Sequence, residues 1–171
     1  MTRAALKTAR LMLRPVAPED EADVVTALND IAVSGWLAMV PYPYTPADFH
    51  QFQTDYAIPG QTYAVHDARG FAGILGVEDQ TLGYWFAPVA QGRGYATEAA
   101  RAALSEHFAH TDTIASGYFT GNARSANVLR KLGFTEAGRA VKHCRALGQD
   151  RPHVTMSLTR DAFLAAMPPL L

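Results

Sequence analysis

The sequence predicts a mixed α+β protein, with one sheet that is partly antiparallel and partly parallel and carries helices on its faces. Two observations carry this. Residues 61–66, 71–77 and 82–86 are strand-like runs separated by short turns, the spacing of an antiparallel meander of three. Residues 82–119 then read strand, helix, strand, and two strands joined through a helix lie parallel with a right-handed crossover.

The elements follow in order. Residues 10–16 (RLMLRPV) alternate, with Leu11 and Leu13 on one side and Met12 and Arg14 on the other, and Pro15 closes this first strand. Pro18, Glu19, Asp20 and Glu21 start a helix, with proline in the first turn and acids at the positive end of the dipole. Val24, Ala27, Leu28 and Ile31 are its predicted buried face. A second helix starts at Thr45, with Pro46 at its first position and Asp48 in the capping-box place, and Phe49, Phe52 and Tyr56 continue it. Between the two lies GWLAMVPYPY, residues 35–44, an aromatic connection too rich in proline for a helix. It either caps the core or walls a ligand pocket, and Trp36, Tyr42 and Tyr44 are its candidate contacts.

Asp67 to Gly70 make a hairpin turn between the first two meander strands. Ala96, Ala99, Ala100, Ala103, Leu104, His107 and Phe108 form one face of a long helix over 94–110, and a strand follows at 113–119. Residues 122–134 form a short helix with Asn122 as N-cap, Gly133 in the left-handed position past its end and Phe134 folding back. Two further strands, 138–144 and 154–159, flank an exposed-looking loop over 145–153. The apolar tail from Phe163 to Leu171 is a candidate homodimer surface.

Composition narrows the function classes. The chain has 171 residues, 49% of them hydrophobic, a formal net charge of −1 and one cysteine, Cys144. That fits one globular domain over 1–171, with no basic excess for nucleic acid and no pair of cysteines for a disulfide or a multi-cysteine metal site. No run approaches the ~18 apolar residues of a membrane span and residues 1–10 lack the apolar core of a leader, so a cytoplasmic location is expected.

The chain turns on residues 81–108. The aromatic strand Leu82 to Phe86 ends at Pro88, and Gln91-Gly92-Arg93-Gly94-Tyr95-Ala96 leads into the long helix. A glycine turn opening a helix binds anions, because the first N–H groups have no intrahelical partner and the dipole is positive there. The turn is not a dinucleotide fingerprint, since Thr97 stands where a third small residue belongs, and it is not a P-loop, since no lysine follows. Gln91, Gly94 and Ala96 instead fit Q/R-x-x-G-x-G/A.

That hexapeptide resembles the pyrophosphate-binding loop of the GNAT acetyltransferases. Two more segments are similar to their ribosomal-protein N-terminal acetyltransferase branch: TARLMLRPVAPEDEADVVTALND at the start and NARSANVLRKLGF after the crossover. The resemblance implies a six- or seven-stranded mixed sheet with about four helices, its fourth and fifth strands splayed around the pantetheine arm of acetyl-CoA. It implies N-acetyl transfer to a primary amine, with acetyl-CoA as cosubstrate and no metal. The pyrophosphate would sit on Gln91, Gly92, Arg93, Gly94, Tyr95, Ala96 and Thr97. A backbone N–H around Trp85, Phe86 and Ala87 would stabilise the oxyanion. Ser125 would hydrogen-bond the thioester sulfur beside Asn122, and the aromatic connection would wall the acceptor pocket. Cys144 stands where some of these enzymes place a glutamate base, leaving Glu78, His143 or water to deprotonate the amine, with Glu78 the first choice. A non-catalytic acyl-CoA-binding module is the competing reading.

Overall fold

The computed structural model describes residues 5–168. Among them are eight strands and six α-helices in the order β1 (Leu6–Lys7), β2 (Met12–Pro15), α1 (Glu21–Leu28), α2 (Ile31–Ser34), α3 (Pro46–Gln51), β3 (Thr62–Asp67), β4 (Gly70–Glu78), β5 (Thr81–Phe86), α4 (Tyr95–His107), β6 (Thr113–Phe119), α5 (Ala123–Leu132), β7 (Thr135–Cys144), β8 (Gln149–Thr159) and α6 (Arg160–Ala166). The strands form one sheet in the order β1-β2-β3-β4-β5-β6-β8-β7. Neighbours are antiparallel except β5 and β6, which are parallel, so the sheet is mixed as the meander and crossover require. The strand beyond the expected seven is β1, whose two residues are too few for alternation to show.

Alternation splits the sheet into two packed faces. Leu13, Val65, Leu75, Leu82, Val154, Met156 and Leu158 join Ala99, Ala103, Leu104, Leu129 and Phe163 in one core, beneath α4, α5 and α6. Ala64 and Ile74 join Val24, Leu28, Val33, Tyr44 and Phe49 in a second core, beneath α1, α2 and α3.

Local chemistry accounts for most boundaries. Thr45 and Asp48 form the expected capping box: Thr45 Oγ1 accepts the Asp48 N–H at 3.2 Å, and the Asp48 carboxylate accepts the Thr45 N–H at 2.8 Å. Gly133 takes φ 104°, and the Phe134 N–H folds back onto the Leu129 carbonyl at 3.0 Å.

Four expectations are corrected. Ile31 does not extend the first helix. The Asn29 amide bonds the Val25 and Tyr44 carbonyls at 2.9 and 2.7 Å, Asp30 caps α2 on the Ala32 N–H, and Ile31 is left exposed. Such short polar side chains compete with the helix ladder for backbone partners. Tyr56 leaves the apolar stripe because the chain loosens into a π-type turn over Phe52–Tyr56. The loop expected over 145–153 shrinks to four residues, since β8 begins at Gln149. Pro152 sits in the strand beyond the end of β6, where its missing donor costs little. Finally, Phe163 is buried against Phe108, ring centroids 5.3 Å apart, so it is not part of an outer dimer surface; residues 169–171 of that expected surface lie outside the described residues.

Candidate active site

The parallel pair β5–β6 is joined at one register point, Thr81 opposite Ala115, with the Ala115 N–H on the Gln80 carbonyl at 2.9 Å. Ser116 Oγ donates to the Leu82 carbonyl at 2.8 Å, and beyond that point the strands separate. On its other side β5 stays paired with β4 up to Phe86. A side chain at Gly73 would collide with the Trp85 carbonyl oxygen and come within 2.9 Å of the Phe86 Cα, so glycine there permits the close approach. The opening between β5 and β6 is a cleft of about 1150 Å³ that passes through the sheet.

One mouth of the cleft is the glycine turn. Gly92 and Gly94 have φ of 75° and 79°, a conformation that side chains rarely adopt, and Gly94 is the N-cap of the 13-residue α4. Glycine offers no side-chain cap, so the first N–H groups of the helix face outward with the positive end of the dipole. The Gln91 amide ties the turn down, donating to the Phe86 carbonyl at 2.9 Å and accepting from Arg124 on α5. Gln91, Gly92, Gly94, Tyr95, Ala96 and Thr97 line the cleft. Arg93 does not; its guanidinium turns back to the Val89 carbonyl at 3.1 Å. The cations at this mouth are instead Arg124 and Lys131, seven residues apart on one face of α5. Sequence reasoning missed them, although helical spacing puts both on the side facing the turn.

Midway along the cleft, Tyr84 of β5 and Ser125 of α5 meet, hydroxyl to hydroxyl at 3.0 Å. Ser125 is fixed by the N-cap of its helix, where the Asn122 Oδ1 accepts the Ser125 N–H at 3.3 Å. Burial pushes the Tyr84 hydroxyl up to about 12 against the smaller opposing effect of its bond to Ser125, so it keeps its proton throughout the neutral range. The sequence marks Tyr84 only as part of the aromatic strand Leu82 to Phe86, and the crossing of α5 over β5 shows its partner.

Trp85 and Phe86 line the cleft, but Ala87 does not, because its N–H is spent on the Ala72 carbonyl at 2.8 Å. Alternation along β5 then turns the Phe86 N–H toward the cleft. Of the aromatic connection, Trp36 lines the cleft beside Leu37 and Met39. Tyr42 is exposed elsewhere, and Tyr44 is buried in the second core, held by its backbone bonds to Asn29. Glu78 lies off the cleft wall, accepting a hydrogen bond from Thr62. His143 is exposed and paired with Asp150 at 2.8 Å. Cys144 is fully buried and donates weakly to the Gly35 and Leu37 carbonyls, pinning the aromatic connection to β7. It will therefore resist iodoacetamide in the folded protein and react stoichiometrically in urea, read by intact mass. Rapid labelling of the native chain would contradict this burial.

Among the described residues no helix is long and apolar enough to cross a membrane, and no cluster of three potential metal ligands occurs. Comparison with known proteins agrees with this geometry. The chain is 36% identical over 80 residues to the [ribosomal protein uS5]-alanine N-acetyltransferase of Escherichia coli, a match covering 46% of this chain and 41% of that protein's length. The fold is similar to that of a GNAT-family acetyltransferase from Bacillus anthracis, with TM-score 0.77 at 20% identity over 92% of this chain and 99% of that one. It is also similar to a spermidine N-acetyltransferase from Vibrio cholerae solved with CoA and spermine, with TM-score 0.71 at 19% identity over 92% and 99% of the two chains. Residues 10–135, most of the chain and the whole span from β2 to the start of β7, match the acetyltransferase (GNAT) domain, so this chain belongs to the GNAT family.

Proposed function

We propose that the protein is an acetyl-CoA-dependent N-acetyltransferase that passes the acetyl group directly to a primary amine bound in the same cleft. The observation that carries this is the Tyr84–Ser125 hydroxyl pair inside the β5–β6 opening, with a positive helix end at one mouth. The residues fit the cosubstrate. The N–H groups of Gln91 to Thr97, with Arg124 and Lys131, suit a pyrophosphate, and the apolar faces of Leu82 and Val128 suit an alkyl arm. The Phe86 N–H is the donor placed for a developing oxyanion, and the hydroxyl pair is placed to hydrogen-bond the departing sulfur.

The acceptor is a primary amine without additional positive charges, either a protein N-terminus or a small molecule. The charged side chains lining the cleft are Arg124, Lys131 and Lys142, and among the described residues no aspartate or glutamate lines it. A polycation would be repelled there. The reading is tested by thermal stability and by transfer. Acetyl-CoA at a hundredfold excess over Kd will stabilise the fold by about 2.7 kcal/mol, a rise in Tm of about 5–10 °C, while ATP and NADH will not. An alanine-initiated peptide will be acetylated faster than spermine. Binding of acetyl-CoA without transfer to any amine would favour a non-catalytic acyl-CoA-binding module.

A further inference from the structure

We propose that His153 takes the proton from the acceptor amine, working from the face of the sheet opposite the Tyr84–Ser125 pair. This rests on the transferase reading above and supplies the group that reading lacks. An ammonium must lose a proton before it can attack, and no carboxylate among the described residues lines the cleft. Glu78, His143 and Cys144 all lie off its wall, whereas His153 lies on it.

Strand register places the ring. Val154, Met156 and Leu158 of β8 point into the core beneath α4, α5 and α6, so His153 and Thr155 point the other way. Tyr84 packs against that same core, while Trp85 packs against the core beneath α1, α2 and α3. The hydroxyl pair and the imidazole therefore flank the cleft from opposite faces. A planar thioester carbonyl attacked from one side and losing sulfur needs its proton acceptor and its hydrogen-bond donors apart in this way.

The imidazole is held for the task. Phe119, directly opposite in the β6–β8 register, meets it edge to face at 5.6 Å and 88°. Gly117 leaves the room it occupies: a Cβ there would collide with the ring Cε1, fall 2.9 Å from Nε2 and fall 2.7 Å from the Val154 carbonyl oxygen. Nδ1 is buried with no hydrogen-bond partner, a poor setting for a doubly protonated ring. On β7 and β8 the charged side chains of this face are Lys142 and Arg151, opposite one another in the register. Gly117 and Phe119 of β6 and the Trp36 connection add none. Burial first, and then Lys142, lower the His153 pKa, so the ring is neutral and able to accept at pH 7.

The step balances. The ammonium gives one proton to His153, the freed lone pair forms the C–N bond, and the C–S bond breaks with its electrons on sulfur. The nitrogen's second proton ends on the thiol by way of solvent. His153 returns its proton to solvent, for a net yield of amide, thiol and one proton.

The test uses the full chain, acetyl-CoA and three amines: an alanine-initiated hexapeptide, L-alanine and spermine. His153→Gln, close in size, and His153→Ala should both retain acetyl-CoA stabilisation. Each should lose about a hundredfold in kcat/KM with the best amine. The acid limb of the wild-type pH profile should vanish in both, and added imidazole should restore rate to His153→Ala alone. A merely structural histidine would give neither the lost limb nor the rescue. Equal activity in His153→Gln with an unchanged limb would overturn the proposal alone. A wild type that binds acetyl-CoA but acetylates none of the amines would overturn the transferase reading and this proposal with it.

Discussion

Ser125→Ala will lower kcat for acetyl transfer by about 10- to 150-fold with acetyl-CoA saturating, the loss expected when one hydrogen bond to a developing charge is removed. The size follows from what the pair can and cannot do. Tyr84, at about 12, is a far weaker acid than an alkyl thiol near 8.5. Full proton transfer from it to a thiolate would be uphill by about 5 kcal/mol. Donation of a hydrogen bond is not. With Tyr84 donating to Ser125 and Ser125 donating to sulfur, the two hydroxyls spread the negative charge as the C–S bond stretches, and the positive end of α5 adds to the effect.

Tyr84→Phe should therefore cost less than Ser125→Ala, and the double variant little more than Ser125→Ala alone. Strictly additive losses would mean that the hydroxyls act separately. An unchanged kcat in Ser125→Ala would mean that the pair only bridges β5 to α5. Stability will shift by a few kcal/mol at most, because the cap of α5 is Asn122 and survives either change. Steady-state rates together with melting curves separate these outcomes.

What the sequence disclosed and what it hid divide along sequence separation. The Thr45–Asp48 capping box, the Gly133 stop and the glycine turn over 91–97 each close within a few residues, and all could be read from spacing and turn chemistry. The Tyr84–Ser125 contact joins residues 41 apart, on elements that meet only because β5 and β6 diverge under α5. Tyr84 sat in an aromatic run that reads equally well as core. His153 sat beside Pro152 in a polar stretch that reads as loop, and only pairing with Phe119 and Ala140 shows it on a strand facing the cleft. Tyr44 failed in the opposite sense. It was a candidate contact of a connection read as either core cap or pocket wall, and the Asn29 amide draws it into the second core. Local patterns expose the glycine turn at one mouth of the cleft; the wall around Tyr84 and His153 is made of long-range pairings that no window contains.

Asp20→Ala will destabilise the fold by about 3 kcal/mol at pH 7, lowering Tm by about 6–12 °C. Asp20 is 1% exposed, yet its carboxylate accepts from Arg14 at 3.0 and 2.7 Å and from the Ala17 N–H at 2.9 Å, with His66 at 3.5 Å. Alanine would leave the half-buried guanidinium without its carboxylate and orphan the Ala17 N–H, and breaking one half of such a pair costs more than the pair itself contributes. Burial alone would raise the Asp20 pKa, but hydrogen bonds from His66, Arg14 and Ala17 outweigh it and bring it from 3.8 down to about 2. A folded pKa below the unfolded one gives stability that is complete above pH 3.8 and lost as pH falls through 2, here about 2 kcal/mol. Urea melts at pH 7, 4 and 2.5 will show the wild type losing part of that increment between the last two, while Asp20→Ala loses less. Parallel losses in the two proteins would place the acid sensitivity elsewhere. The consequence reaches the cleft, because Asp20 fixes the corner from which α1 and α2 carry the chain to Trp36. A loosened corner should weaken acceptor binding before it weakens acetyl-CoA binding, whose proposed contacts lie on β5, α4 and α5.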